Sequence, residues 1–206
     1  MVVGRVVREV SGCRVCGGGP ADAWLGECGP LRDRCFDDRL VASTGWARLP
    51  SVPGPVWLTG ADGRRHRMRY RIWRAPTGVV VELREEGLAG GEDGFEFGVL
   101  GGHDADVSML VAAVRARAED EMSRCYLEPD PCGAGWTMAG EEVVGRLEWN
   151  PDGGPYRVVV DGRSLSWEEF GLTLGSFEGG RFRLVIEDRS TDVRSEAEPL
   201  GPWGEV

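Results

Sequence analysis

The sequence has 206 residues, 41% of them hydrophobic, and a formal net charge of −10. That length can bury one sizeable core or two small ones, so one or two domains are open. No stretch approaches the roughly 20 apolar residues of a membrane span, and the arginine-interrupted start Met1 to Arg8 lacks the apolar run of a signal peptide. The expectation is a cytoplasmic protein with reduced thiols and no membrane contact.

The charge is unevenly spread. Residues 1–75 carry 13 Arg against 7 Asp and Glu, whereas residues 76–206 carry 11 Arg against 27. An acidic body repels nucleic acid, so a polyanion would have to meet the N-terminal part.

In chain order, Val2 to Val10 reads as a short strand. Four of the six cysteines then fall within the first 35 residues: Cys13, Cys16, Cys28 and Cys35. Zinc favours four soft ligands in a tetrahedron, and Cys-x2-Cys on a tight turn delivers two of them, with Gly17 easing the backbone around the sulfurs. Cys28 and Cys35 are the natural second pair, although their six-residue gap is wide for a knuckle. Buried thiols or a solvent-exposed pair remain the alternatives.

Leu49 to Pro55 holds three prolines within six residues and marks a boundary. Val56–Thr59, Arg64–Arg74 and Val79–Glu85 read as strands joined at Asp62-Gly63 and at Ala75 to Gly78. A two-residue turn at 62–63 sets Trp57 opposite Met68 and Thr59 opposite His66. The second turn sets Ile72 opposite Val81, Tyr70 opposite Leu83, Arg71 opposite Glu82 and Arg67 opposite Glu86. Gly94–Leu100 supplies a fourth strand, and a helix starts near Asp104 or Asp106. Its stripe of Val107, Leu110, Val111, Val114, Ala118, Met122 and Cys125 should pack on the sheet.

A smaller cycle follows, with strands at Val143–Trp149 and Tyr156–Val160. Ser166 to Glu169 is a capping box opening a short helix whose buried stripe is Trp167, Phe170 and Leu174. Phe182, Leu184 and Ile186 alternate as a half-buried strand over Arg181–Glu187. The fold class is α+β. The expected division is a zinc-finger-like element at 1–49, an antiparallel sheet plus helix at 50–130, a smaller α+β unit at 131–190 and a flexible tail at 191–206.

The pattern Cys13-x2-Cys16-Gly17-x2-Pro20-Ala21, then Leu31-x3-Cys35-Phe36-x2-Arg39-Leu40, resembles the small treble-clef-type zinc finger that begins a bacterial family of uncharacterised proteins. Gly94-Phe95-Glu96-Phe97 and the run from Asp161 to Gly171 resemble the two small α+β domains that follow it there. The resemblance implies architecture and carries no activity. Such fingers read Leu-Cys-x2-Cys at the second knuckle, and this chain has Arg32 where the first of those cysteines would stand. Either Cys28 replaces it or the site is incomplete.

Catalytic signatures are sparse. The histidines are His66 and His103, and no nucleophile-elbow, metalloprotease or phosphate-loop motif occurs. His66 falls on the inward face, where a satisfied core histidine is the commoner case. Gly101-Gly102-His103-Asp104 suits a glycine turn with an aspartate cap better than an anion cradle, since it lacks a lysine and carries acids. Cys125 reads as core, and Cys132 as a spare ligand or a plain thiol. Arg65, Arg67, Arg69 and Arg71 share one strand face, but Glu82 and Glu86 across from them argue for a solvated, cross-paired surface over a nucleic-acid platform. Eight tryptophans suit binding hot spots, and several, Trp57 and Trp167 among them, suit small cores. These features point to a zinc-stabilised, non-enzymatic module with a protein partner. The alternatives are a nucleic-acid-binding protein using the finger and the arginine strand, or an unrecognised hydrolase.

Overall fold

The computed structural model describes residues 12–19, 23–24, 29–86, 94–131, 133, 135–150 and 153–186. The opening strand at Val2–Val10, Cys28, Cys132 and the tail at 191–206 lie outside the described residues. The described elements are β1 (Ala23–Trp24), β2 (Pro30–Leu31), α1 (Asp33–Thr44), β3 (Val56–Thr59), β4 (Arg65–Ala75), β5 (Gly78–Glu85), β6 (Glu96–Gly101) and α2 (Val107–Met122). There follow β7 (Leu127–Pro129), β8 (Trp136–Met138), β9 (Arg146–Glu148), β10 (Arg157–Val160), β11 (Arg163–Leu165) and α3 (Trp167–Thr173). The fold is α+β: an antiparallel sheet β3-β4-β5-β6 covered by α2, then a smaller unit of β7-β8, the sheet β11-β10-β9 and α3. No helix among the described residues is long and apolar enough to cross a membrane.

The β4–β5 register is the expected one, with Ile72 opposite Val81, Tyr70 opposite Leu83 and Arg71 opposite Glu82. The pairing continues to Ala75 opposite Gly78, which shortens the connection to Pro76-Thr77. A Cβ on Gly78 would lie 1.9 Å from the Gly101 carbonyl oxygen, so only glycine fits there.

The β3–β4 register differs from expectation by one residue. Val56 faces Met68, Trp57 faces Arg67 and Leu58 faces His66. The turn is a three-residue loop: Gly60 N donates to Arg64 O (2.9 Å), and Gly63 sits at φ 76°. A glycine in the left-handed region at the third loop position is the signature of a type I turn closed by a bulge. A one-residue slip exchanges faces. Leu58 therefore joins the core, while Trp57 is 54% exposed beneath the Arg65 guanidinium.

Helix α2 is capped by Asp106, whose Oδ1 accepts from Ser108 N (2.8 Å). Leu110, Val114, Ala118 and Met122 form its buried face, packing with Met68, Tyr70, Ile72, Val81, Leu83 and Phe97 in the main core. Cys125 lies beyond the helix end and is exposed, its thiol 3.1 Å from Leu127 O, so it is not part of that stripe.

The smaller unit adds three strands that sequence reading missed, β7, β8 and β11. Asp161 (φ 49°) and Gly162 (φ 71°) form a two-residue turn with both central residues in the left-handed region, and β11 folds back on β10. The second core holds Tyr126, Leu127, Val158, Val160 and Leu165, with Trp136, Val143 and Phe170 against it. The capping box forms as expected: Glu169 N donates to Ser166 Oγ (3.1 Å) and Ser166 N to Glu169 Oε2 (2.7 Å). On α3 Thr173 is buried and Phe170 packs partly buried against the second core, whereas Trp167 and Leu174 are 41% and 37% exposed. Residues 181–186 form no strand, and Phe182, Leu184 and Ile186 are exposed. Alternation creates an apolar face but supplies no neighbouring edge to satisfy the backbone.

Candidate metal centre

Cys13 and Cys16 sit on one tight turn. Gly17 N donates to Cys13 O (2.8 Å), and Gly17 adopts φ 68°. Arg14 N donates to Pro30 O (3.0 Å), tying this turn to the short β1–β2 ladder. Helix α1 starts immediately afterwards, with Arg32 at its N-cap and Cys35 in its first turn. Turn, ladder and helix start thus converge. The sulfurs of Cys13, Cys16 and Cys35 all lie within 4.8 Å of one another. Cys13 is buried with Leu31 and Phe36, Cys35 and Leu40 pack against that cluster, and Cys16 is exposed.

The local fields push the thiols apart. Burial pulls the Cys13 pKa upward, but hydrogen bonds from the backbone of Arg32, Cys16 and Val15, with a further contribution from Cys35, outweigh it and bring it down to about 6. Burial, then the neighbouring Cys16 and Cys13, push Cys35 up to about 12. Three sulfurs this close, one of them favouring the thiolate, form a soft donor set. A thiolate site with metal–sulfur bonds of about 2.3 Å spaces its sulfurs about 3.8 Å apart in a tetrahedron, a spacing that falls within the 4.8 Å bound on these three. The cluster can hold a metal ion. The Arg32 guanidinium lies 4.0 Å from Cys16 Sγ, so the residue in the missing cysteine's place approaches the cluster as a hydrogen-bond donor.

The helix that carries Cys35 is fastened to the main sheet. Asp33 accepts two bonds from Arg71 (2.7 and 2.9 Å), and Asp37 accepts from Arg74 Nε (2.7 Å) and from Leu49 N (3.0 Å). Arg74 also donates to Ala47 O and to His103 O (3.3 Å) and lies 5.2 Å from the Trp46 ring centroid. Trp46 in turn stacks on His103, centroids 4.0 Å apart. Sequence reading missed these groups. The one available signal was Asp33 and Asp37, four apart on a single helix face.

The arginines of β4 and the acids of a nearby cleft have local partners. Arg65 stacks over Trp57, Arg67 and Arg69 pair with Glu86 (3.2 and 3.6 Å), and Arg71 reaches Glu82 (3.7 Å) as well as Asp33. A cleft of about 600 Å³ lies between the β3–β4 turn and the smaller unit, lined among others by Asp62, His66, Glu85, Cys125 and Asp161. Its carboxylates are engaged. Asp161 accepts from Tyr126 N and Leu127 N (2.9 and 2.8 Å), Glu85 holds His66 Nδ1 (2.7 Å) and Phe95 N (3.2 Å), and Asp62 accepts from Arg64 N (2.9 Å).

Residues 50–123 match the family described as Domain of unknown function (DUF7686). Residues 126–191 match a second, Domain of unknown function (DUF7713). The DUF7686 match contains β3 to β6 and α2, and the DUF7713 match contains β7 to β11 and α3. The pair agrees with an uncharacterised family of two small domains, and the cysteine cluster lies outside both matches, as a separate element compatible with a zinc finger. No curated protein and no solved structure matches the chain.

Proposed function

We propose that this protein is a zinc-stabilised protein-interaction module without catalytic activity of its own. Cys13, Cys16 and Cys35 hold the ion and Cys28 completes the tetrahedron, in a reduced cytoplasmic setting that suits free thiols. The observation that carries the reading is the convergence of three sulfurs within 4.8 Å from a turn and a helix start. An ion there staples elements too small to fold on their own apolar contacts, and its binding energy becomes folding energy. The chain divides on this reading into the zinc element at 1–49, the sheet-and-helix unit at 50–130, the smaller unit at 131–190 and a tail at 191–206.

The interaction half rests on surface chemistry. Leu147, Trp149, Tyr156, Phe182, Leu184 and Ile186 are each 46% or more exposed, and all belong to the smaller unit. So many exposed large apolar side chains in one small unit suit contact with another protein. The metal half is tested by titrating metal-free full-length protein with Co2+. Visible d–d and sulfur-to-cobalt absorption, displaced by one equivalent of Zn2+, is the expected result. A titration without tetrahedral thiolate bands counts against the site.

A further inference from the structure

The sheet β11-β10-β9 is sealed on one side and open on the other. Leu165 faces Val158 across β11–β10, and Val158 faces Leu147 across β10–β9. Their exposures are 4%, 6% and 46%, so the apolar row is uncovered only where it reaches β9. One step along the same face, Trp149 and Tyr156 meet edge to face with centroids 5.9 Å apart, and both are more than half exposed. Among the described residues, β9 has no strand on its outer side. The edge is also electrically neutral, because Arg146 and Glu148 on the opposite face pair with each other (2.7 Å).

The same unit holds a strand-like segment that pairs with no strand among the described residues. Residues 181–186 alternate Phe182, Leu184 and Ile186 with Arg181, Arg183 and Val185, the period of a half-buried strand. They form neither helix nor strand, and these three apolar side chains are 85%, 68% and 69% exposed. A lone strand is not stable in water, and an uncovered edge is a template for one.

We propose that residues 181–186 of one copy of this chain add as a fourth strand beside β9 of a second copy, and that the exchange is reciprocal. The next apolar residue in the Leu165–Val158–Leu147 row is then supplied by the partner's segment, with its companions over Trp149 and Tyr156. An open edge and a segment of strand period that joins no sheet among the described residues are self-complementary, and a two-fold exchange satisfies both in each copy without leaving a free end to propagate. The outer edge of β3 suits this role less, since the Arg65 guanidinium, 5.1 Å from the exposed Trp57 ring, puts a charge where an apolar strand would lie. This inference rests on the interaction half of the function proposed above and is independent of the metal.

Sedimentation velocity of the full-length protein, from low to high micromolar concentration, tests it. The expected species has twice the 22.4 kDa mass of the chain. The double variant Leu184→Arg, Ile186→Arg should sediment as a monomer with an unchanged far-ultraviolet spectrum, and Leu172→Arg, at an exposed site on α3, should stay dimeric. Amides of 146–148 and 181–186 should exchange more slowly in the dimer than in the monomeric variant. If the double variant misfolds, Phe182→Arg at the most exposed position serves in its place. A wild-type monomer at every concentration overturns the proposal, whether 181–186 is then covered by its own chain or left free for a different protein. A dimer that survives the arginine substitutions overturns it equally.

Discussion

Arg74 on β4 and Asp37 on α1 form a buried ion pair at 2.7 Å, with side chains 2% and 6% exposed, and every strong partner they need is present. Leu49 N takes the second Asp37 oxygen, while Ala47 O, His103 O and the Trp46 ring surround the guanidinium. The cysteine element is therefore joined to the main sheet through its helix and is not a loose appendage. Removing one partner strands a charge in a dry site. Arg74→Met should cost about 3–5 kcal/mol, and pairing it with Asp37→Leu should recover much of the loss. Urea unfolding midpoints of the two single variants and the double variant check this. A loss under about 1 kcal/mol for Arg74→Met would contradict a buried, uncompensated Asp37.

The register of β3 makes opposite demands on two neighbours. Leu58 is buried in the main core, whereas Trp57 is exposed. Leu58→Ala should destabilise by about 2–5 kcal/mol, and Trp57→Ala by under about 1 kcal/mol, from the lost Arg65 contact. Chemical denaturation of the two variants separates this register from the one shifted by a residue, which reverses the order.

Gly78 tests the sheet at its tightest point. Its Cα hydrogen occupies the place where a Cβ would meet the Gly101 carbonyl at 1.9 Å. Gly78→Ala must separate β5 from β6 locally and should cost on the order of 1–3 kcal/mol. A thermal midpoint equal to that of the wild type would show that the strands approach less closely.

The capping box gives a pH dependence of known sign. The Ser166 amide, and after it the Ser166 hydroxyl, hold the Glu169 carboxyl below its ordinary range. A depressed folded-state pKa stabilises the fold above the ordinary carboxylate value, and that contribution fades as pH falls through the depressed one. Ser166→Ala should raise the Glu169 pKa toward its ordinary value, measured by NMR titration of the side-chain carboxyl. A wild-type Glu169 that titrates at the ordinary carboxylate value would mean the box does not hold in solution.

How far these features could be read beforehand depended on whether the deciding contact was local. The β4–β5 register was readable because apolar residues and Arg–Glu pairs on opposite faces independently agree on it. The Ser166 box was readable because both of its bonds lie within four residues. The β3 register was not, since Gly63 converts an apparent two-residue turn into a three-residue one and shifts every partner. Cys13, Cys16 and Cys35 were readable as one group from type and spacing, and the structure brings these three sulfurs together. The pairs Arg71–Asp33 and Arg74–Asp37 span 38 and 37 residues, where no periodicity links the partners. Phe182, Leu184 and Ile186 show the converse, an alternation visible in sequence whose strand partner the chain does not supply among its described residues.

On the reading proposed above, a zinc ion joins the Cys13–Cys16 turn to the start of α1. Elemental analysis of full-length protein purified without chelators tests it most directly, on the wild type, on Cys28→Ser and on the double variant Cys13→Ser, Cys35→Ser. The wild type should carry one zinc per chain, Cys28→Ser a reduced content and the double variant none. Wild-type protein without zinc, or zinc retained in full by the double variant, would contradict it.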